Sequence, residues 1–401
     1  MSDVARPTGG LGEVFRAALG LGLTSFGGPI AHIGYFRREY VERRRWLDDR
    51  AFADLLALCQ SLPGPASSQL GIALGAQRAG IAGGLVSWIG FTVPSAILLV
   101  LFGLASSSVD VASAGWVHGL KLAAVAVVAQ ALIALARALT PDPPRIAVAA
   151  VAAGAALVAT TPFTQVTIIA AGAAIGLVGF AVPPSPPGIA GSGGPIGRRT
   201  GLVAIVLFFG LLVGLPILRA ATGSTGVAMV ETFYRTGSLV FGGGHVVLPL
   251  LDAGVVDPGW VSEDRFLAGY GAAQAIPGPL FSFAAYLGSV AVPPLGGWSG
   301  AAVALTTIYL PTFLLVFGVL PFWDRLRGSD AFRRALIGAN AAVVGLLAAA
   351  FYDPIWTGAI GAPIDIAVAA VGFGLLLTGR VPPIVVVAAS AAAGQLLGGA
   401  T

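Results

Sequence analysis

Gln60-Ser61-Leu62-Pro63-Gly64-Pro65 and Gln274-Ala275-Ile276-Pro277-Gly278-Pro279 are one hexapeptide pattern met twice, 214 residues apart, in otherwise apolar sequence. Proline removes a backbone donor and clashes with the preceding helical turn, so each Pro-Gly-Pro should break a helix. The first copy sits at the centre of Ala51 to Gln77, flanked by Arg50 and Arg78. A straight crossing would strand those two arginines on opposite sides of a membrane. The spacing instead predicts two half-helices that meet at the turn and come back, with the second copy dipping from the opposite face.

Working outward, the repetition continues. Phe26-Gly27-Gly28-Pro29 pairs with Phe241-Gly242-Gly243-Gly244 at an offset of 215, and Trp46-Leu47-Asp48 with Trp260-Val261-Ser262 at 214. Pro94-Ser95 pairs with Pro311-Thr312 at 217, and Ile146 to Ala150 with Ile366 to Ala370 at 220. The expectation is a tandem duplication: a first repeat over 11–182, a second over 226–400, and a linker over 183–225. The linker holds a Pro/Gly/Ser-rich stretch, Pro183 to Gly197, and one apolar run, Leu202 to Leu218, with no partner in either copy.

Charge gives each copy a direction, because cytoplasmic loops are enriched in Lys and Arg. Arg37, Arg38, Arg43, Arg44, Arg45 and Arg50 crowd one first-copy loop, whereas its counterpart carries Asp252, Asp257, Glu263, Asp264 and only Arg265. The bias reverses further on: Ser106 to His118 holds Asp110 and no basic residue before the histidine, against Arg325, Arg327, Arg333 and Arg334. Two inverted-topology repeats joined by one extra transmembrane helix would produce this pattern. Two parallel copies with uneven charges are the alternative.

Composition sets the class. The 401 residues are 56% hydrophobic and 10% charged, with a mean hydropathy of +0.89, whereas soluble domains carry about 25% charged residues. A β-barrel would alternate apolar and polar positions, and Leu336 to Phe351 does not. The expected fold is therefore an all-α polytopic membrane protein with broken or re-entrant helices. The first dozen residues show no cleavable leader pattern, so Met1 is expected to start an uncleaved chain. One cysteine, Cys59, and three histidines leave no ligand spacing for a metal centre, and neither metal nor cofactor is expected. Basic residues are not interleaved with aromatics as a nucleic-acid surface requires. The partners expected are a small ligand and membrane lipid, with a homodimer left open.

The site expectation follows from the breaks. Helices starting at Ala66 and Leu280 would aim their N-termini at a shared mid-membrane cavity, where partial positive charge and unpaired N-H groups favour an anion. Pro63, Gly64, Pro65, Pro277, Gly278 and Pro279 form the tips; Ser67, Ser68 and Ser282 add hydroxyls; Gln60 and Gln274 hold an amide at equal depth in both copies. Phe26, Gly27, Gly28, Phe241, Gly242 and Gly243 either present backbone N-H groups to a ligand or pack helices closely. His32 and His245 are either proton carriers or hydrogen-bonded core residues. Lys121 is expected to snorkel to a surface.

These motifs, taken in order, closely resemble the chromate transporter family in its two-domain form. The resemblance implies a bacterial inner-membrane protein that expels chromate and confers resistance, with sulfate as the similar competitor. Export of a dianion from a negative cytoplasm gains about 4.6 kcal/mol per 100 mV, so membrane potential alone could drive it, with proton coupling optional. Another oxyanion as cargo, a passive anion channel, or an intramembrane hydrolase using Ser67 or Ser68 with His32, or Cys59, are the alternatives. The hydrolase lacks a Gly-x-Ser-x-Gly elbow.

Overall fold

The computed structural model describes residues 9–26, 28–106, 115–159, 164–182, 196–240, 247–292, 294–326 and 328–398, and among these no strand occurs. Among the described residues, five helices are long and apolar enough to cross a bilayer: Ala66–Ser106, Gly115–Leu139, Arg198–Thr222, Gly297–Phe322 and Asp330–Ala359. Their outward faces are apolar; Val203, Val206, Phe209 and Val213 of the third are all exposed. Such a surface is at home in lipid, and the chain is an all-α multi-pass membrane protein.

Helix α1 (Leu11–Thr24) buries Val14, Ala17, Ala18 and Leu21 at three- and four-residue spacing, and α2 (Gly28–Arg37) follows. Both outer ends meet one loop: Trp46 Nε1 donates to Glu13 Oε1 at 3.0 Å, and Arg37 Nε donates to Asp49 Oδ1 at 2.7 Å. A straight helix would hold residues 13 and 37 roughly 36 Å apart, so the chain folds back between α1 and α2. Next comes α3 (Asp49–Ser61), capped by the Asp48 carboxylate, which accepts from Ala51 N at 2.8 Å. The Pro-Gly-Pro turn leads into α4 (Ala66–Ser106), itself broken at Ala79 and Gly80, where φ is +65°. The segment 66–78 therefore returns to its starting side: Arg78 Nη2 lies 3.5 Å from Glu13 and its guanidinium 5.2 Å from the Trp46 ring centre. Residues 81–106 make the full crossing.

Then come α5 (Gly115–Leu139), α6 (Pro143–Val158), α7 (Thr164–Gly179) and the unpaired α8 (Arg198–Thr222). The second half runs through α9 (Thr225–Leu239), α10 (Val247–Val255), α11 (Glu263–Ala275), a 3-10 turn at Leu280–Ser282, α12 (Phe283–Val290) and α13 (Gly297–Val319). Gly254 packs on Thr232, so α10 runs back along α9. Val292 N donates to Trp260 O at 2.9 Å, which returns α12 to the end where α11 began. Gly297, with φ +73°, stands where the first half has Gly80.

Helix α13 fixes the relation of the ends. It starts beside the Trp260 loop, and just past its far end Trp323 Nε1 reaches Asp54 Oδ1 at 3.4 Å, at the base of α3. With 23 residues, α13 spans roughly 35 Å. The arginine-rich loop of the first half and the acidic loop of the second thus lie on opposite faces, called here the arginine face and the acidic face.

The chain finishes with α14 (Trp323–Leu326), α15 (Asp330–Ala350), α16 (Thr357–Ala359), α17 (Pro363–Leu377) and α18 (Pro383–Gly398). The halves exchange hairpins. α6 and α7 pack on α15 of the second half, whereas α17 and α18 pack on α5 of the first. Glycine makes both contacts close: a Cβ on Gly172 of α7 would lie 2.7 Å from Gly338 O, and one on Gly115 of α5 would lie 2.6 Å from Gly394 O.

Candidate functional site: a junction of four chain reversals

Two reversals from each half meet in the interior through a reciprocal pair of bonds. Gly64 N, at the first Pro-Gly-Pro turn, donates to Val240 O at the end of α9, and Gly278 N, at the second, donates to Ser25 O at the end of α1. Each Pro-Gly-Pro turn thus grips the fold-back of the opposite half. Both glycines are left-handed, at φ +126° and +112°, a conformation that a side chain pays for and glycine does not. There is no room for a side chain either: a Cβ on Gly64 would meet Gln69 Nε2 at 2.6 Å and Thr312 Oγ1 at 3.1 Å, and one on Gly278 would meet Ser95 Oγ at 2.7 Å.

Around this junction polar atoms collect without protein partners. Ser25 Oγ, Gln69 Oε1, Thr236 Oγ1 and Thr312 Oγ1 belong to fully buried residues and accept or donate no hydrogen bond; Gln274 Nε2 is likewise buried and unbonded. Each lies close to a tip bond: Thr236 one turn before Val240, Gln274 one turn before Gly278, Gln69 and Thr312 beside Gly64. A buried polar group left unmade costs about 1–3 kcal/mol, so five in the segments that carry the tip bonds is a concentration that packing alone does not favour. These hydroxyls and amides are neutral groups of the kind that can bond a small polar ligand.

The residues singled out by sequence fall into distinct places. Gly64 and Gly278 are at the junction, but their N-H groups are engaged, so the expectation that these amides hold an anion is corrected: they hold the halves together. Pro63 O accepts from Gln69 Nε2 at 2.6 Å, Pro65 and Pro279 are buried, and Pro277 is half-buried. Ser67 and Ser68 open α4 and are bonded, Ser67 Oγ lying 3.3 Å from His32 Nδ1 and Ser68 Oγ 3.3 Å from the Tyr309 hydroxyl. Ser282 Oγ lies 2.7 Å from Ser95 Oγ. His32 is buried with both ring nitrogens occupied, since Nε2 lies 3.2 Å from Ser25 O. A neutral imidazole donating from Nε2 and accepting from the Ser67 hydroxyl satisfies both contacts, which makes His32 a clasp between the α1–α2 fold-back and α4. Phe26 is half-buried and Gly28 opens α2. Gly27, Phe241, Gly242, Gly243 and His245 lie outside the described residues.

The two glutamines part company. Gln274 is half-buried with its amide nitrogen unbonded, while Gln60 lies on the exposed side of α3, so equal sequence offset did not give equal surroundings. Lys121 pairs its ammonium with Asp264 of the acidic loop, and only 12% of its side chain is exposed. Ser25, Gln69, Thr236 and Thr312 escaped the sequence reading because single polar residues in apolar helices look alike until the fold is known. Glu231 and Arg235 also escaped it. Their signal was available, as two ionisable residues four apart inside an apolar helix: Glu231 is 3% exposed and its Oε1 accepts from Arg235 Nε at 2.6 Å.

The family model for the chromate transporter matches the chain twice, over residues 12–177 and 227–395. A chromate transport protein of Pseudomonas aeruginosa is 29% identical over 85% of this chain and 80% of its own. A probable chromate transport protein of Synechococcus elongatus is 28% identical over 86% and 84%, and a chromate transport protein of Cupriavidus metallidurans 24% identical over 86% and 82%. No solved structure matches the chain. Family members are transport proteins rather than enzymes, which removes the hydrolase alternative. With both matched regions covering the great majority of its length, this chain belongs to the chromate transporter family.

Proposed function

We propose that the protein carries a chromate-type tetrahedral oxyanion across the cytoplasmic membrane through the four-reversal junction, from the arginine face to the acidic face. The reading is supported above all by the reciprocal bonds of Gly64 to Val240 and Gly278 to Ser25. Reversals that enter from opposite faces and meet halfway leave a thin barrier, and a small shift of either pair would open it to one side. Two repeats, over about 11–182 and 226–400, lying in opposite senses around α8, account for that pairing. The positive-inside bias then makes the arginine face cytoplasmic.

The ligand is held by neutral groups: the free hydroxyl and amide atoms of Ser25, Gln69, Thr236, Gln274 and Thr312, with Ser67, Ser68 and Ser282 near by. Partial charges suit a cargo that must also leave, whereas a bare guanidinium in a low-dielectric site would hold a dianion too firmly. Outward movement of a dianion is favoured by about 4.6 kcal/mol per 100 mV of inside-negative potential, so the potential suffices as driving force. Chromate efflux of this kind confers resistance.

The test is flux of labelled chromate and sulfate in inside-out and right-side-out vesicles, with membrane potential and pH gradient collapsed separately. Chromate uptake into inside-out vesicles that vanishes with the potential is the expected result. Sulfate carried in preference would reassign the cargo, dependence on the pH gradient would make protons part of the cycle, and movement of neither anion would refute the reading.

A further inference from the structure

On the acidic face a cavity of about 450 Å³ opens between the halves, lined among others by Arg219, Arg235, Gln165, Asp252, Asp257 and Asp353. Arg219 ends α8, and Arg235 sits on α9, five residues before the Val240 carbonyl that binds Gly64. The cavity therefore reaches from the surface to within about two helical turns of the central junction.

Glu231 stands behind the two arginines. It does not line the cavity, yet its Oε2 accepts from Arg219 Nη1 at 2.7 Å and its Oε1 from Arg235 Nε at 2.6 Å. One buried carboxylate thus fixes two guanidiniums from different helices through one N-H each. Each guanidinium keeps further N-H groups beyond the one it gives to Glu231. A guanidinium carries five N-H donors in a fixed fork that matches the oxygens of a carboxylate or a tetrahedral anion. Two such forks, held in place and edging one cavity, form a receptor for an anion with several oxygens.

We propose that Arg219 and Arg235 form a second, peripheral station for a tetrahedral oxyanion dianion between the junction and the acidic face, with Glu231 as its positioning residue. The identity of the anion rests on the transport reading above; the station itself rests on the cavity and the triad. Glu231 leaves the two arginines a net charge of one, which attracts a dianion without trapping it. Asp257 and Asp353 share the cavity and offset that charge, so the hold is weak, as suits a station from which the anion departs. Its first-half counterpart is absent, since Arg16 and Gly20 occupy the positions of Glu231 and Arg235 at the 215 offset.

The experiment uses the purified full-length chain in lipid nanodiscs, titrated with sulfate against chloride at matched ionic strength and read by calorimetry and by melting temperature. Sulfate should bind the parent weakly, and Arg235→Gln should weaken it roughly tenfold or more, the loss of a charge-assisted bond. Arg219→Gln, at a half-exposed side chain, should do the same and guards against misfolding of the Arg235 variant. Asp257→Asn, at an exposed position, should tighten binding. Glu231→Gln should tighten it too while slowing flux, which loss of a purely structural ion pair would not do. Arg16→Gln, an exposed arginine at the first-half position matching Glu231, should leave this binding intact. Unchanged sulfate affinity in both arginine variants, or no tightening in Glu231→Gln and Asp257→Asn, overturns the station. Failure of the parent to move chromate or sulfate in vesicles would sink the transport reading and leave arginine-dependent binding standing on its own.

Discussion

The two Pro-Gly-Pro turns have the same backbone and different surroundings. After the first, the returning arm carries Ser67, Ser68 and Gln69 and two close glycines, Gly71 and Gly75; after the second, it carries Phe281, Phe283 and Tyr286. The Phe283 ring lies 5.3 Å from Phe266 and 5.8 Å from Tyr286, so the second arm is clamped in an aromatic cluster. Gln69 and Phe283 occupy equivalent positions, 214 apart. The first arm presents polar atoms where the second is packed among rings, although both make the same glycine bond. The grip is common to both turns, and their surroundings are not.

The largest effect should come from the clamped side. Phe283→Ala should destabilise the protein by about 3–5 kcal/mol, as for other buried aromatics, seen as a lower melting temperature and less protein in the membrane. Gln69→Ala at the matching position, which gives up the bond to Pro63 O, should cost only about 1 kcal/mol of stability and cut chromate flux per molecule by roughly tenfold or more. Equal stability losses at the two positions would abolish the distinction. Next, Gly64→Ala and Gly278→Ala should cost alike, because each adds about 1–2 kcal/mol of left-handed strain to a blocked Cβ. Ser95→Gly should partly rescue Gly278→Ala and do nothing for Gly64→Ala.

Smaller and opposite in sign is Thr312→Val, which removes a buried hydroxyl that has no partner. Melting temperature should hold or rise, while flux falls. Gln274→Ala should weaken flux and Gln60→Ala should hardly alter it; equal losses would return Gln60 to the site. The smallest effect is electrostatic. Burial, with the charges of Asp257, Glu263 and Asp353, pushes the Asp252 carboxyl from 3.8 up to about 7. The folded state then keeps a proton that the unfolded chain gives up, so this group's contribution to stability falls as pH rises from about 4 through 7. Melting curves between pH 5 and 8 should show a steeper decline for the parent than for Asp252→Asn, and parallel curves would contradict that assignment.

Much of the architecture was legible in the sequence because proline and glycine act locally. Pro63-Gly64-Pro65 broke where a break was expected, and the charge of the flanking loops marked their ends. The site was less legible. Whether Gln60 or Gln69 faces the interior depends on how α3 and α4 rotate against the other half, which no local rule supplies. That the Gly64 and Gly278 amides are already taken depends on Val240 and Ser25, contributed by the opposite half. The fold-back of α1 on α2 was hidden as well, since a glycine motif in the sequence does not say which way the chain leaves it.

The exchanged hairpins have a consequence for biosynthesis. α6 and α7 are complete at Gly179, but α15, on which they pack, begins at Asp330. At 5–20 residues per second, translation separates them by roughly 8–30 s. Through that interval the glycine-lined face around Gly172 and Gly176 has only lipid to cover it. The first half leaves the ribosome as inserted helices awaiting a partner, and a chain truncated after α8 should be surrendered to membrane quality control however well its own segments have inserted.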